Sequence, residues 1–340
     1  MKIAVIALTR GGRELAARIV AGLEACELCE VTDGVLSTMR KVWSHYDGLI
    51  CVMASGIVVR AIAPLCRDKK SDPCVLVLDE KGQFVISLLS GHLGGGNGLA
   101  RKVAAITGGV PVITTASDVT GHTALDLWAA DNNLRVQNPQ RLAAVSAKLV
   151  NEGELRFFSD VECGRLPADF KVVTEAARAD IILSHGIVDP LEHPSALVLC
   201  PCNLYLGLGC NRGASAADFE RSITDLCAQY RLERSAIAGI ASIDLKADEP
   251  GLLHFARKNN LPIRFYSKDE LNRVEGISHS AAVMAATGAR GVAEPAAMLA
   301  AGDGMTPGLL IVRKIKWKDV TAAVAEKKLT DMAETTLSKE

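Results

Sequence analysis

The sequence predicts an α/β chain of several domains: an N-terminal sheet with flanking helices, a small middle α/β region and a C-terminal α/β domain. Three observations carry this reading. The 340 residues suit two or three domains at roughly 100–200 residues each. Short apolar runs bounded by turn residues alternate with segments whose apolar residues recur at helical spacing. Hydrophobic residues make up 49% of the chain and aromatic residues only 4%, an aliphatic supply large enough for sizeable cores.

In the N-terminal part, KIAVIAL reads as a strand and GRELAARIVAGLE as an amphipathic helix. DGLICVMA is a buried strand, and GIVVRAIAPL a short helix ended near Pro64. CVLVLDE and FVISLL are strands around a Lys81-Gly82 turn. GLARKVAAIT is a helix, PVITT a strand and TALDLWAADNNL a helix. This order predicts a partly parallel sheet with helices on both faces.

Residues 136–202 read as a middle region, with a helix at QRLAAVSAKLVNEG and strands at LRFFSD, KVVTE and ADIILSH. From residue 203 to about 330 a third block begins with the strand LYLGLGC. The helix SAADFERSITDLCAQY follows, with Ser215 as N-cap. PGLLHFARKNN carries Pro250 near its first helical position. Alanine-rich helices fill 280–301, GLLIVRKIKW and VTAAVAEK suit a hairpin, and 331–340 reads as a frayed tail. The expected division is therefore 1–135, 136–202 and 203–330.

Several function classes are disfavoured. Net charge is −1 with no basic block, which argues against a general nucleic-acid binder. No apolar stretch reaches the roughly 18 residues of a membrane span. MKIAVIALT is too short for a signal core and is followed by Arg10-Gly11-Gly12-Arg13, so it reads as a first strand. The ten cysteines are expected as reduced thiols in a cytoplasmic protein. Cys26-Glu-Leu-Cys29 is a CxxC pair near a helix end, read as ordinary cysteines over a redox couple or half a zinc site. Cys200, Cys202 and Cys210 lack a recognised metal spacing.

The most unusual stretch is SGHLGGGNGLA at 90–100, between a strand and a helix. Counting removes both nucleotide fingerprints. From Gly94 the third GxGxxG position is Leu99, and from Gly96 it is Arg101. Gly91 to Gly96 is followed by Asn97 where GxxxxGK[ST] needs lysine. GLGCNRG at 207–213 also fails, with Arg212 at the third glycine position. What remains is a glycine floor at a helix start, suited either to a carboxylate or oxyanion or to a tight turn without ligand. His92 and Asn97 add polar groups. Ser55 and Gly56 follow a second strand, ahead of Arg60, and Thr114 and Thr115 follow a third. These three strand ends are expected to converge at the carboxyl edge of a parallel sheet, where open α/β sheets bind ligands. CRDKKSDP adds Arg67, Lys69 and Lys70, and SIDLKADEPG gathers Asp244, Lys246, Asp248 and Glu249 at a strand end.

Taken together, these stretches resemble one family. SGIVVRAIAPLCRDKKSDPCVLVLDE, FVISLLSGHLGGGNGLARKVA and PVITTASD are similar to the N-terminal region of the cobalamin-biosynthesis CbiG family, the cobalt-precorrin-5A hydrolases. LGLGCNRGASAADFE, SIDLKADEPGLLHFARKNNLPIRFYS and GVAEPAAMLAAG resemble its C-terminal region, which also occurs alone as CobE. The glycine loop of the family more often reads GGANELA; here Gly96 and Gly98 replace the alanine and the glutamate.

The resemblance implies opening of the δ-lactone of a cobalt corrinoid and release of C20 as acetaldehyde. The cobalt comes with the substrate, so no separate cofactor is expected. On this reading His92 is the general base and loop N–H groups hold the oxyanion. Asp118 or Asp244 would take the proton of the C20 hydroxyl. Arg60, Lys69, Lys70 and Lys246 would hold peripheral carboxylates. Ser55, Gly56, Ser90, Gly91, Gly94, Gly95, Asn97, Thr114, Thr115 and Arg212 complete the expected substrate-binding set. The expected partners are the corrinoid and neighbouring pathway enzymes that hand it over, with no nucleic acid, no membrane and a homodimer left open. The competing reading is a non-catalytic corrinoid carrier or assembly protein.

Overall fold

The computed structural model describes residues 1–68, 71–92, 94–116 and 120–332. Lys69, Lys70 and Asp118, three of the expected site residues, lie outside the described residues. The chain divides into two compact units, Met1–Leu127 and the residues from Trp128 onward. Among the described residues no helix is long and apolar enough to cross a membrane.

In the first unit, β1 (Ile3–Ala7), β2 (Cys26–Cys29), β3 (Gly48–Val52), β4 (Cys74–Leu78), β5 (Phe84–Leu89) and β6 (Val110–Val112) form one sheet. Their order is β2-β1-β3-β4-β5-β6. β1, β3 and β4 are buried along their whole length, which explains their unbroken apolar sequence: helices cover both faces. α1 (Arg10–Gly22) and α4 (Gly96–Thr107) pack Leu15, Ile19, Leu99 and Val103 against Ile3, Val5, Ile50 and Leu76. α2 (Val35–Val42) and α3 (Ser55–Ile62) pack Met39, Val42, Val58 and Ile62 against Ala4, Ile6, Leu49 and Val75 on the other face. Thr9 caps α1, accepting from the Gly12 N–H at 3.0 Å.

The CxxC pair lies on strand β2, just past the end of α1. Cys26 packs with the α1/α4 face and Cys29 with the α2/α3 face. Side chains three apart on a strand point to opposite faces, so the two thiols cannot form a couple or share a metal.

Strand direction decides which loops meet. β1, β2, β3 and β4 are parallel. β5 turns back antiparallel to β4, pairing Val85 with Leu78 and Leu89 with Val75, and β6 runs parallel to β5. The expected convergence of three strand ends at one carboxyl edge therefore fails. Ser55 and Gly56 follow β3 at the carboxyl edge of the parallel strands. Ser90 onward follow β5, and Thr114 and Thr115 follow β6, at the opposite edge. The cause is the Lys81-Gly82 turn. The Asp79 carboxylate accepts from the N–H groups of Lys81 and Phe84 at 2.9 and 2.7 Å, closing a hairpin that reverses the chain.

The second unit holds two five-stranded sheets. The first comprises β7 (Leu134–Val136), β8 (Leu155–Ser159), β10 (Phe170–Val172), β11 (Ile181–Leu183) and β12 (Leu197–Pro201), in the order β10-β8-β11-β12-β7. Only β7 is antiparallel to its neighbour; the intervening β9 is the short strand Cys163–Arg165. Trp128, on α5 (Leu125–Asp131), stands edge-on to Phe157 and Phe170 with centroids 6.2 and 4.9 Å away. α6 (Leu142–Glu152) adds Lys148, whose ammonium donates to Asp180 at 2.8 Å. The Arg156 guanidinium grips the same carboxylate at 2.9 and 3.0 Å.

Burial pushes the Asp180 carboxyl up, but the Arg156 and Lys148 bonds outweigh it and hold it at about 2. A depressed native value means the stabilisation is present above the unfolded value near pH 4 and is lost as pH falls through about 2. Asp180→Asn is expected to cost about 1 kcal/mol at neutral pH, a figure discounted for solvent screening. The difference should vanish near pH 2. Urea unfolding followed by tryptophan fluorescence checks it.

The other sheet comprises β13 (Leu204–Cys210), β14 (Ile237–Ile243), β15 (Ile263–Tyr266), β16 (Leu309–Lys316) and β17 (Val320–Glu326), in the order β15-β14-β13-β17-β16. β13, β14 and β15 are parallel, and β16 and β17 form the expected hairpin. α7 (Ala216–Tyr230) and α8 (Pro250–Lys258) pack Phe219, Ile223, Leu252 and Phe255 into one core. Ser215 caps α7 in a reciprocal box with Asp218. On the other face, α9 (Lys268–Asn272) and α10 (Ala281–Thr287) precede α11 (Ala293–Ala301). Ala293, Ala297 and Ala301 of α11 lie directly on Ala323 and Ala325 of β17.

Candidate active site

Residues 90–97 turn β5 into α4. Ser90 and Gly95 both have positive φ, 52° and 76°, a conformation that glycine adopts without strain. The loop is tied by its own backbone. The carbonyls of Ser90, Gly91 and His92 accept from the N–H groups of Gly96, Asn97 and Gly95 at 3.2, 2.8 and 2.7 Å. Three of the N–H groups expected to hold an oxyanion are thus already engaged. A Cβ on Gly91 would lie 2.5 Å from the Asn97 side-chain oxygen. Asn97 is 4% exposed and donates to Thr115 Oγ1 at 3.1 Å, which joins the β5 and β6 ends. Ser90 Oγ donates to the Asp72 carbonyl at 3.2 Å, bringing the CRDKKSDP loop to the same edge. Most of the glycines serve this self-packing.

Gly98 is different: it is exposed, and a Cβ there would meet nothing within 4 Å. Gly98→Ala is expected to raise stability by about 0.5–1 kcal/mol by lowering the entropy of the unfolded chain. An upward shift of the urea midpoint at constant slope checks it.

His92 belongs to this loop. Its Nδ1 faces Asp126 Oδ1 at 3.5 Å, and the two side chains are 17% and 16% exposed. Asp126 lies in the first turn of α5 and accepts from the Leu127 N–H at 3.0 Å. Burial pushes the Asp126 carboxyl up, but the contacts from His92 and the Leu127 N–H outweigh it and hold it below the usual carboxylate range. Beside the loop lie a cavity of about 460 Å³, lined by Trp43, His45, Asp72 and Gly94 among others, and one of about 570 Å³, lined by Glu24, Gly95, Gly98 and Lys102 among others.

The remaining expected residues fall elsewhere. Ser55 lines a cavity of about 510 Å³ at the carboxyl edge of β1, β3 and β4, with Thr9, Asp79 and Glu80. Gly56 and Arg60 are exposed on α3 at that edge. In the second unit, Arg212 and Lys246 meet at the ends of β13 and β14, but both are paired. Arg212 lies 2.6 Å from Asp248 and 3.7 Å from Glu249, and Lys246 lies 3.3 Å from Glu249. Glu249, 1% exposed, also accepts from the Gly213 N–H at 2.8 Å. Each cation is therefore neutralised inside the loop cluster, which weakens the expectation that either grips a substrate carboxylate. Asp244 Oδ1 accepts from the Leu245 N–H at 2.7 Å on an exposed turn.

One participant escapes sequence reading. Asp126 belongs to TALDLWAADNNL, which reads as an ordinary helix; a lone acid inside an apolar first turn is its only signal. Glu249 stands out in SIDLKADEPG, but only the fold shows that it organises Gly213, Arg212 and Lys246. Among the described residues no cluster of three His, Cys, Asp or Glu is arranged to hold a metal ion.

The fold and this edge define an α/β protein with a histidine–carboxylate pair beside a glycine loop, an arrangement suited to proton transfer at a bound small molecule. Comparison with known proteins sharpens that class. Three family models match in order: cobalamin synthesis G N-terminal over residues 37–118, cobalamin biosynthesis central region over 123–201 and cobalamin synthesis G C-terminus over 204–325. The chain is 35% identical to the cobalt-precorrin-5A hydrolase of Priestia megaterium, covering 95% of this chain and 94% of that one. It is 32% identical to the cobalt-precorrin-5A hydrolase of Salmonella typhimurium, covering 94% and 96%. Protein CobE of a Sinorhizobium species is 32% identical over 39% of this chain and 86% of its own length. The chain belongs to the CbiG family of cobalamin biosynthesis.

Proposed function

We propose that this chain is a cobalt-precorrin-5A hydrolase, opening the δ-lactone of its corrinoid substrate and releasing C20 as acetaldehyde. What carries this reading is the similarity to two curated hydrolases of that name over 95% and 94% of the chain.

The chemistry assigned to the site follows from His92. A neutral imidazole is a base suited to near-neutral pH. His92 takes a proton from water while the water oxygen bonds to the lactone carbonyl carbon. N–H groups at the start of α4 that loop carbonyls leave untaken are assigned to the oxyanion. One such donor contributes about 3–4 kcal/mol to the transition state. Collapse breaks the ester C–O bond and expels the C20 oxygen as alkoxide. That alkoxide becomes the carbonyl of acetaldehyde as the C–C bond breaks, and the electron pair passes into the conjugated macrocycle. The proton on His92 then goes to the macrocycle carbon. One base is enough for this sequence, so neither Asp118 nor Asp244 is required to deprotonate a C20 hydroxyl.

No separate cofactor is invoked, because the cobalt arrives with the substrate. The ten thiols favour a reducing compartment, and the cytoplasm is the expected site of action. Hand-over from neighbouring pathway enzymes and a homodimer remain expectations. Turnover in ¹⁸O-water tests the route: label is expected in the new carboxylate of the corrinoid, and its absence there would contradict attack at the carbonyl.

A further inference from the structure

We propose that the corrinoid ring lies across Gly94 and Gly95 of the glycine loop, over the two cavities that flank them, with Lys102 receiving one of its peripheral carboxylates. The identity of the ligand rests on the hydrolase reading above; the shape and charge of the site do not.

The two cavities are neighbours. The one of about 460 Å³ has Gly94 in its wall, the one of about 570 Å³ has Gly95, and Met1 lines both. A Cβ on Gly95 would stand 2.9 Å from Met1 Cε, so the methionine side chain packs on the loop. Each cavity alone is of the size that takes a drug-sized ligand. A corrinoid is larger, and a ring laid across the loop uses both.

Charge sets which part of the ring faces which cavity. In the smaller cavity, Asp47 accepts from the Lys2 N–H at 2.7 Å, and Asp72 from the Arg67 and Asp68 N–H groups at 2.7 and 3.1 Å. Among the described residues these two carboxylates and no lysine or arginine line it, so it disfavours a ligand carboxylate. Trp43 gives it an aromatic wall suited to the flat body of the ring.

The larger cavity differs. Lys102 lines it from α4, and among the described residues its ammonium forms no ion pair. Gly98, one turn earlier, lines it too, and a Cβ there would meet nothing within 4 Å, so the space beside the lysine is open. Leu23 and Leu99 supply apolar wall. An ammonium in such a place suits a carboxylate. Glu24 stands in the same cavity without pairing to Lys102, and it disfavours a second carboxylate. Side chains on a helix lean toward its N-terminus, so Lys102 leans toward the loop that carries His92.

Equilibrium binding to the full chain, followed by absorbance, tests this. The probes are dicyanocobyrinic acid, a stable corrinoid whose peripheral chains end in carboxylates, and dicyanocobinamide, in which they are amides. Lys102→Met is expected to weaken the acid about tenfold and to leave the amide within about twofold. Lys102→Arg should recover most of the loss. Glu24→Gln should tighten the acid about two- to threefold; a structural role at either position would weaken both probes. In turnover, Lys102→Met should raise KM for cobalt-precorrin 5A about tenfold with kcat little changed. The other cavity is read from the Trp43 indole ¹⁵N–¹H resonance, assigned by its loss in Trp43→Phe, which should shift with either probe. The proposal is overturned if Lys102→Met binds the acid as wild type does, if it weakens acid and amide alike, if wild type binds neither probe, or if the Trp43 resonance stays in place. If the binding results hold and cobalt-precorrin 5A yields no acetaldehyde, the hydrolase reading fails and the corrinoid site stands.

Discussion

Replacing His92 by alanine is expected to lower acetaldehyde release from cobalt-precorrin 5A by about 10²–10⁴-fold, the usual contribution of a positioned general base. The variant should still fold, although the Asp126 carboxylate loses its His92 contact. The side chain is not part of a hydrophobic core, and the loop is held by backbone bonds from Gly95, Gly96 and Asn97 that the substitution leaves in place. Substrate binding should survive, since the imidazole is assigned a role in proton transfer and not in gripping carboxylates. Single-turnover kinetics with equilibrium corrinoid binding separate the two effects. A folded His92→Ala protein that releases acetaldehyde near the wild-type rate would remove His92 from the chemistry.

Gly207→Ala is expected to have the largest effect on stability. A Cβ at Gly207 would stand 1.8 Å from the Ala293 carbonyl oxygen and 2.6 Å from the Ala297 nitrogen. Both neighbours are helix backbone, so relief requires α11 to move off β13 as a body. Overpacking of this kind costs about 3 kcal/mol. The urea midpoint of the second unit should fall accordingly, while Gly98→Ala in the first unit moves its own midpoint upward. A Gly207→Ala protein as stable as wild type would mean that the alanine-rich helix is not seated on the strand as described.

The same glycine shows where sequence reading stops. GLGCNRG resembles a phosphate loop closely enough to be counted, and counting rejects it. The positive role of Gly207, letting α11 approach β13, depends on a helix 86 residues later in the chain, and nothing local encodes it. The strands themselves were legible, because uninterrupted apolar runs such as IAVIA and CVLVL mark strands covered on both faces. The Lys81-Gly82 turn was legible too. Its consequence was harder to see: one reversal sends the loop after β5 to the edge opposite the loop after β3. Small polar residues at strand ends look alike in sequence whichever edge they reach.

The candidate site divides in the same way. His92 and Asn97 are visible as polar groups in a glycine loop. Asp126, which faces His92 across 3.5 Å, sits 34 residues away in a helix with no motif. Arg212 and Lys246 read in sequence as substrate-binding cations, because Glu249 becomes their partner only once its loop folds and buries it to 1% exposure.

The most direct test of the function is to incubate the purified full chain with cobalt-precorrin 5A and measure acetaldehyde against corrinoid product. One acetaldehyde released per lactone opened, with many turnovers per protein, is the result expected of a cobalt-precorrin-5A hydrolase. Stoichiometric corrinoid binding with no acetaldehyde would contradict it and identify the chain as a carrier.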